Sequence, residues 1–185
     1  MLLLCYHELA IQKNKKVTTN VLTNNQSCVI IIIEREVSNM TRAREINFDM
    51  DGTIANLYGV DNWLEYIIAR DTKPYEIAKP LLNLQALARV LNRLQKQGYT
   101  IRVISWLAKN ATTDYDNRVT EAKKKWLATH LASVKWDEIC IVKYGTPKST
   151  CGNGILFDDE APNREEWKGQ AYDVQNIIEI LRALK

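Results

Sequence analysis

The sequence predicts an α/β protein built on a parallel β-sheet that is flanked by helices. Short apolar runs, which suit buried strands, alternate along the chain with longer amphipathic segments, which suit helices. Several of the apolar runs end in a carboxylate or a hydroxyl side chain. Because the carboxyl ends of parallel strands meet at one edge of a sheet, these polar groups are expected to form a single site there.

The first predicted strand, residues 45–49, leads into an acidic turn. Two carboxylates, Asp49 and Asp51, are separated by one residue and are followed by Gly52 and the hydroxyl of Thr53. Carboxylates this close repel each other unless a cation lies between them, so the turn favours a divalent metal. The alternative interpretation is an Asp-Gly turn beside a solvated acidic residue.

Two helices are expected before the second strand. Apolar residues recur at helical spacing in residues 60–70, and the segment 72–74, which contains a proline, should interrupt this helix. A second apolar stripe follows Pro80 and extends to residue 94. Gly98 lies where a helix end favours a residue with positive φ.

Three more strands are expected at residues 100–105, 138–142 and 154–157. Helices are expected at 114–131 and 174–184. Ser105 ends the first of these strands, Lys143 follows the second, and Asp158-Asp159 follows the third. The triplet Lys123-Lys124-Lys125 lies in the first of the two helices and is expected to be a solvated face, since consecutive residues fan around a helix axis.

The acidic turn Asp49-Met50-Asp51-Gly52-Thr53 resembles the first signature of the haloacid dehalogenase (HAD) superfamily, whose phosphatases use an aspartate nucleophile. Ser105 matches the second motif. Lys148 and Asp158-Asp159 resemble the third and fourth motifs of the 5'(3')-deoxyribonucleotidase branch. This branch also places a helix before its lysine that is similar to the one here at Tyr115, Lys123, Trp126-Leu127 and His130-Leu131. The resemblance covers nearly all of the chain after residue 40.

The resemblance implies the Rossmann-like fold of the superfamily, with a small helical cap at about residues 56–80 inserted after the first strand. It also implies hydrolysis of a phosphomonoester through an aspartyl-phosphate. Asp49 would be the nucleophile and Asp51 the general acid and base. Lys148, or alternatively Lys143, would stabilise negative charge on the phosphoryl group.

The resemblance further implies which residues surround the phosphate and the metal. Phosphate contacts are expected from Ser105, from the backbone amides near Gly52 and Thr53, and at Trp106, which stands where the branch carries a small hydroxyl residue. Mg²⁺ is the expected cofactor because the nearby ligands are hard oxygens and the sequence has no His or Cys cluster. Its ligands would be the Asp49 carboxylate, the Asp51 backbone carbonyl and a carboxylate of Asp158 or Asp159.

A (deoxy)nucleoside monophosphate is the expected substrate. A phosphatase for nucleic acid ends and a non-catalytic binding protein on the same fold remain the alternatives. A formal net charge of +3 without a dense Lys/Arg stripe argues against nucleic acid as the partner. No membrane partner is expected, and the oligomeric state is left open.

Residues 1–39 are expected to be an extension that precedes a domain covering residues 40–185. Met40 is the hypothetical start, and the rival interpretation makes Ile30–Ile33 an additional edge strand. The apolar run that contains Ile30–Ile33 is far shorter than the ~20 residues that span a bilayer, and no signal-peptide core is recognisable. The four cysteines are widely spaced, which suits reduced thiols, so a cytoplasmic location is expected.

Overall fold

A five-stranded parallel sheet is the centre of the computed structural model, which describes residues 44–185. The expected extension 1–39, the start at Met40 and the candidate edge strand Ile30–Ile33 lie outside the described residues. Seven strands are numbered here in chain order: β1 Glu45–Phe48, β2 Ala55–Asn56, β3 Lys79–Pro80, β4 Thr100–Trp106, β5 Glu138–Val142, β6 Ile155–Phe157 and β7 Gln170–Tyr172.

The sheet has the order β5-β4-β1-β6-β7, and every neighbouring pair in it is parallel. Phe48 at the end of β1 is level with Val103 on β4 and with Phe157 on β6. This register places the residues that follow β1 and β6 side by side, close to the end of β4. The predicted fold class and the four predicted strands are therefore confirmed.

The helices pack their apolar faces on this sheet. They are numbered α1 Trp63–Ile68, α2 Lys73–Ile77, α3 Leu84–Lys96, α4 Thr113–His130, α5 Ala161–Glu166 and α6 Ile177–Ala183. In α3 the predicted stripe is confirmed, since Leu87, Leu91 and Leu94 are fully buried against the core. Gly98 ends that helix with φ +88°, as predicted.

The centre of the core lies on β1 and β6. The rings of Phe48 and Phe157 stack with centroids 5.3 Å apart, and Phe157 also stacks on Tyr172 of β7. Trp126 and Leu127 of α4 belong to the same buried cluster. The two strands that carry the acidic residues are thus fixed by aromatic packing directly below the edge where those residues lie.

The segment between β1 and α3 is more divided than the sequence suggests. β2 and β3 pair antiparallel at its base, and a short 3-10 helix, Leu57–Gly59, precedes α1. Instead of one helix over 60–70, α1 begins after Asn62 and is followed by Arg70, both in the left-handed region. The expected interruption by residues 72–74 is wrong, because α1 already ends at Ile68; Pro74 lies in the first turn of α2, where its missing N–H costs nothing.

Three further expectations need correction. Leu64 and Ile68, two of the apolar residues that recur at helical spacing within 60–70, are 50% and 74% exposed. The strand β7 and the helix α5 were not expected, because both are short and neither has clear periodicity. The last helix begins at Ile177 rather than at 174, since Asn176 has φ 64° and cannot continue a right-handed helix. Among the described residues, no helix combines the length and apolar character needed to cross a membrane.

Candidate active site

Three carboxylates meet at the carboxyl edge of the sheet. Asp49 follows β1 directly, and Asp158 and Asp159 follow β6. An oxygen from each of the three lies within 4.8 Å of the others. The backbone N–H of Asp49 donates to the carbonyl of Phe157 at 2.8 Å, which continues the pairing of β1 and β6 and aligns the two acidic ends. The structure therefore brings together the acidic residues that the sequence placed at two distant points.

Lys148 lies inside this acidic cluster. Its Nζ is 2.6 Å from Asp49 Oδ1 and 2.6 Å from Asp158 Oδ2, and its side chain is only 3% exposed. A short 3-10 helix, Lys148–Thr150, orients it toward the sheet edge. The other candidate, Lys143, is 67% exposed and pairs with Asp116 of α4. Of the two lysines, the structure thus brings Lys148 to the predicted site.

Burial controls the electrostatics of the cluster. It raises the pKa of Asp49 above the usual value, although the ammonium of Lys148 opposes the effect. Burial, together with the charges of Asp49 and Asp158, raises the pKa of Asp159 to about 7. For Lys148, burial lowers the pKa, but the two carboxylates outweigh burial and the net shift is upward. Lys148 therefore pairs with two of the three carboxylates, and the remaining negative charge favours a cation.

The donor set of this cluster fits Mg²⁺. All three side chains offer carboxylate oxygens, which are hard ligands, and one oxygen from each lies within 4.8 Å of the others. Asp158 is firmly held, because its Oδ1 accepts the N–H of Glu160 at 2.9 Å and its Oδ2 accepts Lys148. Asp159 accepts a longer hydrogen bond of 3.3 Å from Thr53 Oγ1. Asp159 is thus the less constrained of the two candidate ligands.

The carboxylate of Asp51 lies outside this cluster and contacts α4. Its Oδ2 is 2.5 Å from Nζ of Lys123, and the same ammonium donates to Ser105 Oγ at 2.9 Å. The side chain of Asp51 is not one of the three clustered carboxylates. The metal ligand expected from this residue is its backbone carbonyl, so the expectation does not depend on the position of the side chain. Asp51 and Ser105 are therefore linked by a residue that the sequence reading had assigned to the surface.

The expectation that Lys123 belongs to a solvated face is wrong. Its side chain has no exposed surface, whereas Lys124 and Lys125 beside it are exposed. The signal lay in its spacing: Lys123 follows Val119 by four residues and precedes Leu127 by four, and both of these apolar residues are buried. Of the triplet, only Lys124 and Lys125 therefore belong to the solvated face.

The turn after Asp51 is tight because Asp159 approaches it. Gly52 has φ +80°, and a Cβ at this position would lie 2.3 Å from Asp159 Oδ2 and 2.8 Å from the ring of Tyr58. Only glycine fits both requirements. The amide of Gly52 donates to the carbonyl of Ala55 at 2.8 Å, and that of Thr53 makes a longer bond of 3.3 Å to Met50. A phosphoryl group would have to compete with these carbonyls for the two amides.

Trp106 does not offer the polar contact expected beside the phosphate. Its indole N–H donates to the carbonyl of Thr146 at 2.8 Å, and its backbone carbonyl accepts from Lys123. Its ring lies 5.2 Å from Nζ of Lys148, a cation–π distance. The indole therefore presents its ring, and not a free hydrogen-bond donor, to the catalytic candidate Lys148.

Comparison with known proteins agrees with this geometry. The family model described as "5' nucleotidase, deoxy (Pyrimidine), cytosolic type C protein" matches residues 75–180, more than half of the chain. The chain belongs to this family. The matched segment contains Ser105, Lys148 and Asp158-Asp159, while the turn with Asp49 precedes it. The resemblance to a HAD phosphatase is confirmed, and family membership supports a phosphatase of the HAD type.

One solved structure that is similar to this chain is the crystal structure of D,D-heptose 1,7-bisphosphate phosphatase from Burkholderia thailandensis. The two chains are 10% identical and superimpose with a TM-score of 0.45, covering 76% of this chain and 99% of the other. No curated protein gives a significant match to the chain.

Proposed function

We propose that this protein is a Mg²⁺-dependent phosphomonoesterase that forms an aspartyl-phosphate on Asp49 and acts on (deoxy)nucleoside monophosphates. The observation that supports the proposal most strongly is the meeting of Asp49, Asp158 and Asp159 at one sheet edge, with the buried Nζ of Lys148 between Asp49 and Asp158. An ammonium between acidic groups at a strand edge suits the binding of a phosphoryl group, whose oxygens would take up part of its charge.

In the proposed first step, a carboxylate oxygen of Asp49 attacks phosphorus in line with the ester oxygen. A bond forms between Asp49 and phosphorus while the bond from phosphorus to the ester oxygen breaks, and Asp51 gives a proton to the departing alkoxide. In the second step, Asp51 takes a proton from water as the water oxygen attacks phosphorus. The bond between Asp49 and phosphorus breaks, so that inorganic phosphate leaves and the Asp49 carboxylate is restored.

Charge on the transferring group is the main electrostatic problem in this reaction. Lys148 would neutralise part of this charge, and Asp49, Asp158 and Asp159 would hold a Mg²⁺ ion that neutralises more of it. Bound Mg²⁺ supplies positive charge to the phosphoryl oxygens and lowers the repulsion between them and the carboxylates. The buried hydroxyl of Ser105 accepts a hydrogen bond from Lys123 and would lie next to the phosphoryl oxygens.

The nucleoside part of the proposal is supported by aromatic rings beside the site and by the family description. Tyr58 and Trp63 form an edge-to-face pair with centroids 5.0 Å apart on the cap segment. The ring of Tyr58 lies next to the acidic cluster, since it and Asp159 Oδ2 both approach within 3 Å of the place where a Cβ on Gly52 would lie. A half-exposed aromatic ring such as that of Tyr58 can stack on any nucleobase. A cytoplasmic location is part of the same proposal and is supported by the family description alone.

A panel of phosphomonoesters tests the proposal. It should contain 5'- and 3'-(deoxy)nucleoside monophosphates, p-nitrophenyl phosphate and an oligonucleotide with a terminal phosphate, each with and without Mg²⁺. We expect release of phosphate from the mononucleotides at the highest kcat/KM. Preference for the oligonucleotide would favour a nucleic acid end phosphatase, and failure on every substrate would favour a binding protein.

Removal of divalent metal should abolish activity and lower thermal stability. The acidic cluster loses its compensating cation in EDTA, so the repulsion between buried carboxylates returns. We expect Mg²⁺ to restore turnover and to raise Tm in the wild type, and to raise Tm much less in Asp159→Asn. An equal increase in Tm for both proteins would show that the ion binds elsewhere.

Tyr58→Ala should weaken binding of nucleotides selectively. Loss of one stacking partner costs about 1–3 kcal/mol, so we expect KM for a nucleoside monophosphate to rise about tenfold. KM for glycerol phosphate, which has no ring, should change little. Tyr144→Ala is a suitable control, because this exposed tyrosine lies beside Trp106 rather than on the cap. A parallel rise in KM for both substrates would remove Tyr58 from base recognition.

A further inference from the structure

Lys123 is a fully buried lysine, and a buried ammonium requires hydrogen-bond partners. Its ammonium donates to three oxygens: Asp51 Oδ2 at 2.5 Å, Ser105 Oγ at 2.9 Å and the backbone carbonyl of Trp106 at 2.7 Å. The ring of Tyr75 covers it, with Nζ 5.1 Å from the ring centroid. An ammonium has three donors, and all three are used. Lys123 therefore cannot bind a phosphoryl oxygen without giving up one of these contacts.

The three partners of Lys123 come from two separate parts of the site. Asp51 lies in the turn after β1, whereas Ser105 and Trp106 form the end of β4. Lys123 reaches both from α4, which packs across the sheet through Val119 and Trp126. One buried ammonium thus ties the acid of the turn to the strand that holds the hydroxyl.

We infer that Lys123 is a positioning residue that holds Asp51 in the orientation for proton transfer to the leaving group. The inference rests on the proposed function. Oδ2 of Asp51 is fixed by Lys123, which leaves Oδ1 to carry the proton that goes to the ester oxygen as its bond to phosphorus breaks. Lys123 keeps its own protons throughout, and the proton lost by Asp51 is recovered from the attacking water.

This role predicts an effect that depends on the leaving group. An alkoxide, such as the nucleoside oxygen, is a poor leaving group and needs a proton as it departs. The p-nitrophenolate ion is stable without one. Misplacement of Asp51 should therefore slow the first reaction far more than the second. A lysine that only stabilised the fold would affect both substrates alike.

The test compares Lys123→Met with the wild type on a nucleoside monophosphate and on p-nitrophenyl phosphate. Because kcat/KM reports the steps up to leaving-group departure, it isolates the acid role of Asp51 from the later attack of water. We expect kcat/KM to fall roughly a hundredfold for the nucleotide and less than about tenfold for p-nitrophenyl phosphate. Lys125→Met is the matched control, because Lys125 is exposed on the same helix.

A second variant covers the case in which Lys123→Met does not fold. Lys123→Arg keeps the buried positive charge, but its planar guanidinium cannot meet the same three oxygens in the same way. We expect a smaller loss that still depends on the leaving group. Equal losses on both substrates in whichever variant folds, or no loss at all, would overturn the inference. Failure of both variants to fold would also overturn it, since Lys123 would then be a residue of the core.

The outcome also separates this inference from the proposed function. If wild-type protein hydrolyses no phosphomonoester, both the proposed function and this inference are wrong. If the wild type is active and the two substrates lose activity equally, the inference alone fails.

Discussion

Asp49→Asn is expected to abolish phosphatase turnover while the protein stays folded. An amide oxygen is a far weaker nucleophile than a carboxylate, so kcat should fall by at least about 10⁴-fold. The fold should persist because the substitution removes one of three clustered negative charges and so reduces their mutual repulsion. Steady-state phosphate release and thermal unfolding measure the two effects separately.

Asp61→Asn is the control for the same chemical change. Asp61 is exposed in the cap segment, outside the acidic cluster, and its variant should keep wild-type activity. Substantial turnover by Asp49→Asn, with the protein shown to be intact, would remove Asp49 from the role of nucleophile.

Lys148→Ala should have the second largest effect, and it should reach both activity and stability. Loss of one group that stabilises charge in the transition state costs about 10²–10³ in kcat. The variant also leaves Asp49 and Asp158 without their shared partner, and breaking a buried ion pair in this way costs about 3–5 kcal/mol in free energy of unfolding. We therefore expect a lower Tm together with the lower kcat.

Lys143→Ala distinguishes the two lysines. Its side chain is mostly exposed and pairs with Asp116 on α4, away from the acidic cluster. We expect its kcat to stay within about twofold of the wild type, as for most surface substitutions. If Lys143→Ala lost more activity than Lys148→Ala, the wrong lysine would have been placed at the phosphoryl group.

The sheet and the acidic edge could be predicted because they depend on local patterns. Strands such as Glu138–Val142 are short apolar runs bounded by polar residues, and their bounds could be read directly. The meeting of Asp49 with Asp158 and Asp159 follows from parallel pairing of β1 and β6, which brings equivalent strand ends together. A site at strand ends is therefore accessible to sequence reasoning.

The contacts that cross between elements could not be predicted in the same way. Lys123 looked like one of three surface lysines, because a charged side chain is expected at the surface. Its burial could be inferred only once its partner Asp51 was known. Trp106 looked like a phosphate neighbour from its place after Ser105, but the direction of its indole depends on a carbonyl forty residues away. These details depend on tertiary packing, which periodicity does not encode.

The prediction for the cap segment was wrong for a different reason. Its helices are short, and their limits are set by single residues with positive φ, Asn62 and Arg70, rather than by an apolar stripe. Leu64 and Ile68 recur at helical spacing yet are exposed, so spacing alone did not show which face is inside. Short helices on a sheet edge give too few apolar contacts for such a signal to be reliable.

The central claim is that Asp49 accepts the phosphoryl group, and trapping of the covalent intermediate tests it most directly. The wild-type protein should be mixed with substrate and Mg²⁺, quenched in acid during turnover, and digested for peptide mass analysis. We expect the added mass of one phosphoryl group on the peptide that contains Asp49, and its loss when Mg²⁺ is omitted. Turnover without any phosphorylated peptide, or with the phosphoryl group on another residue, would contradict the account.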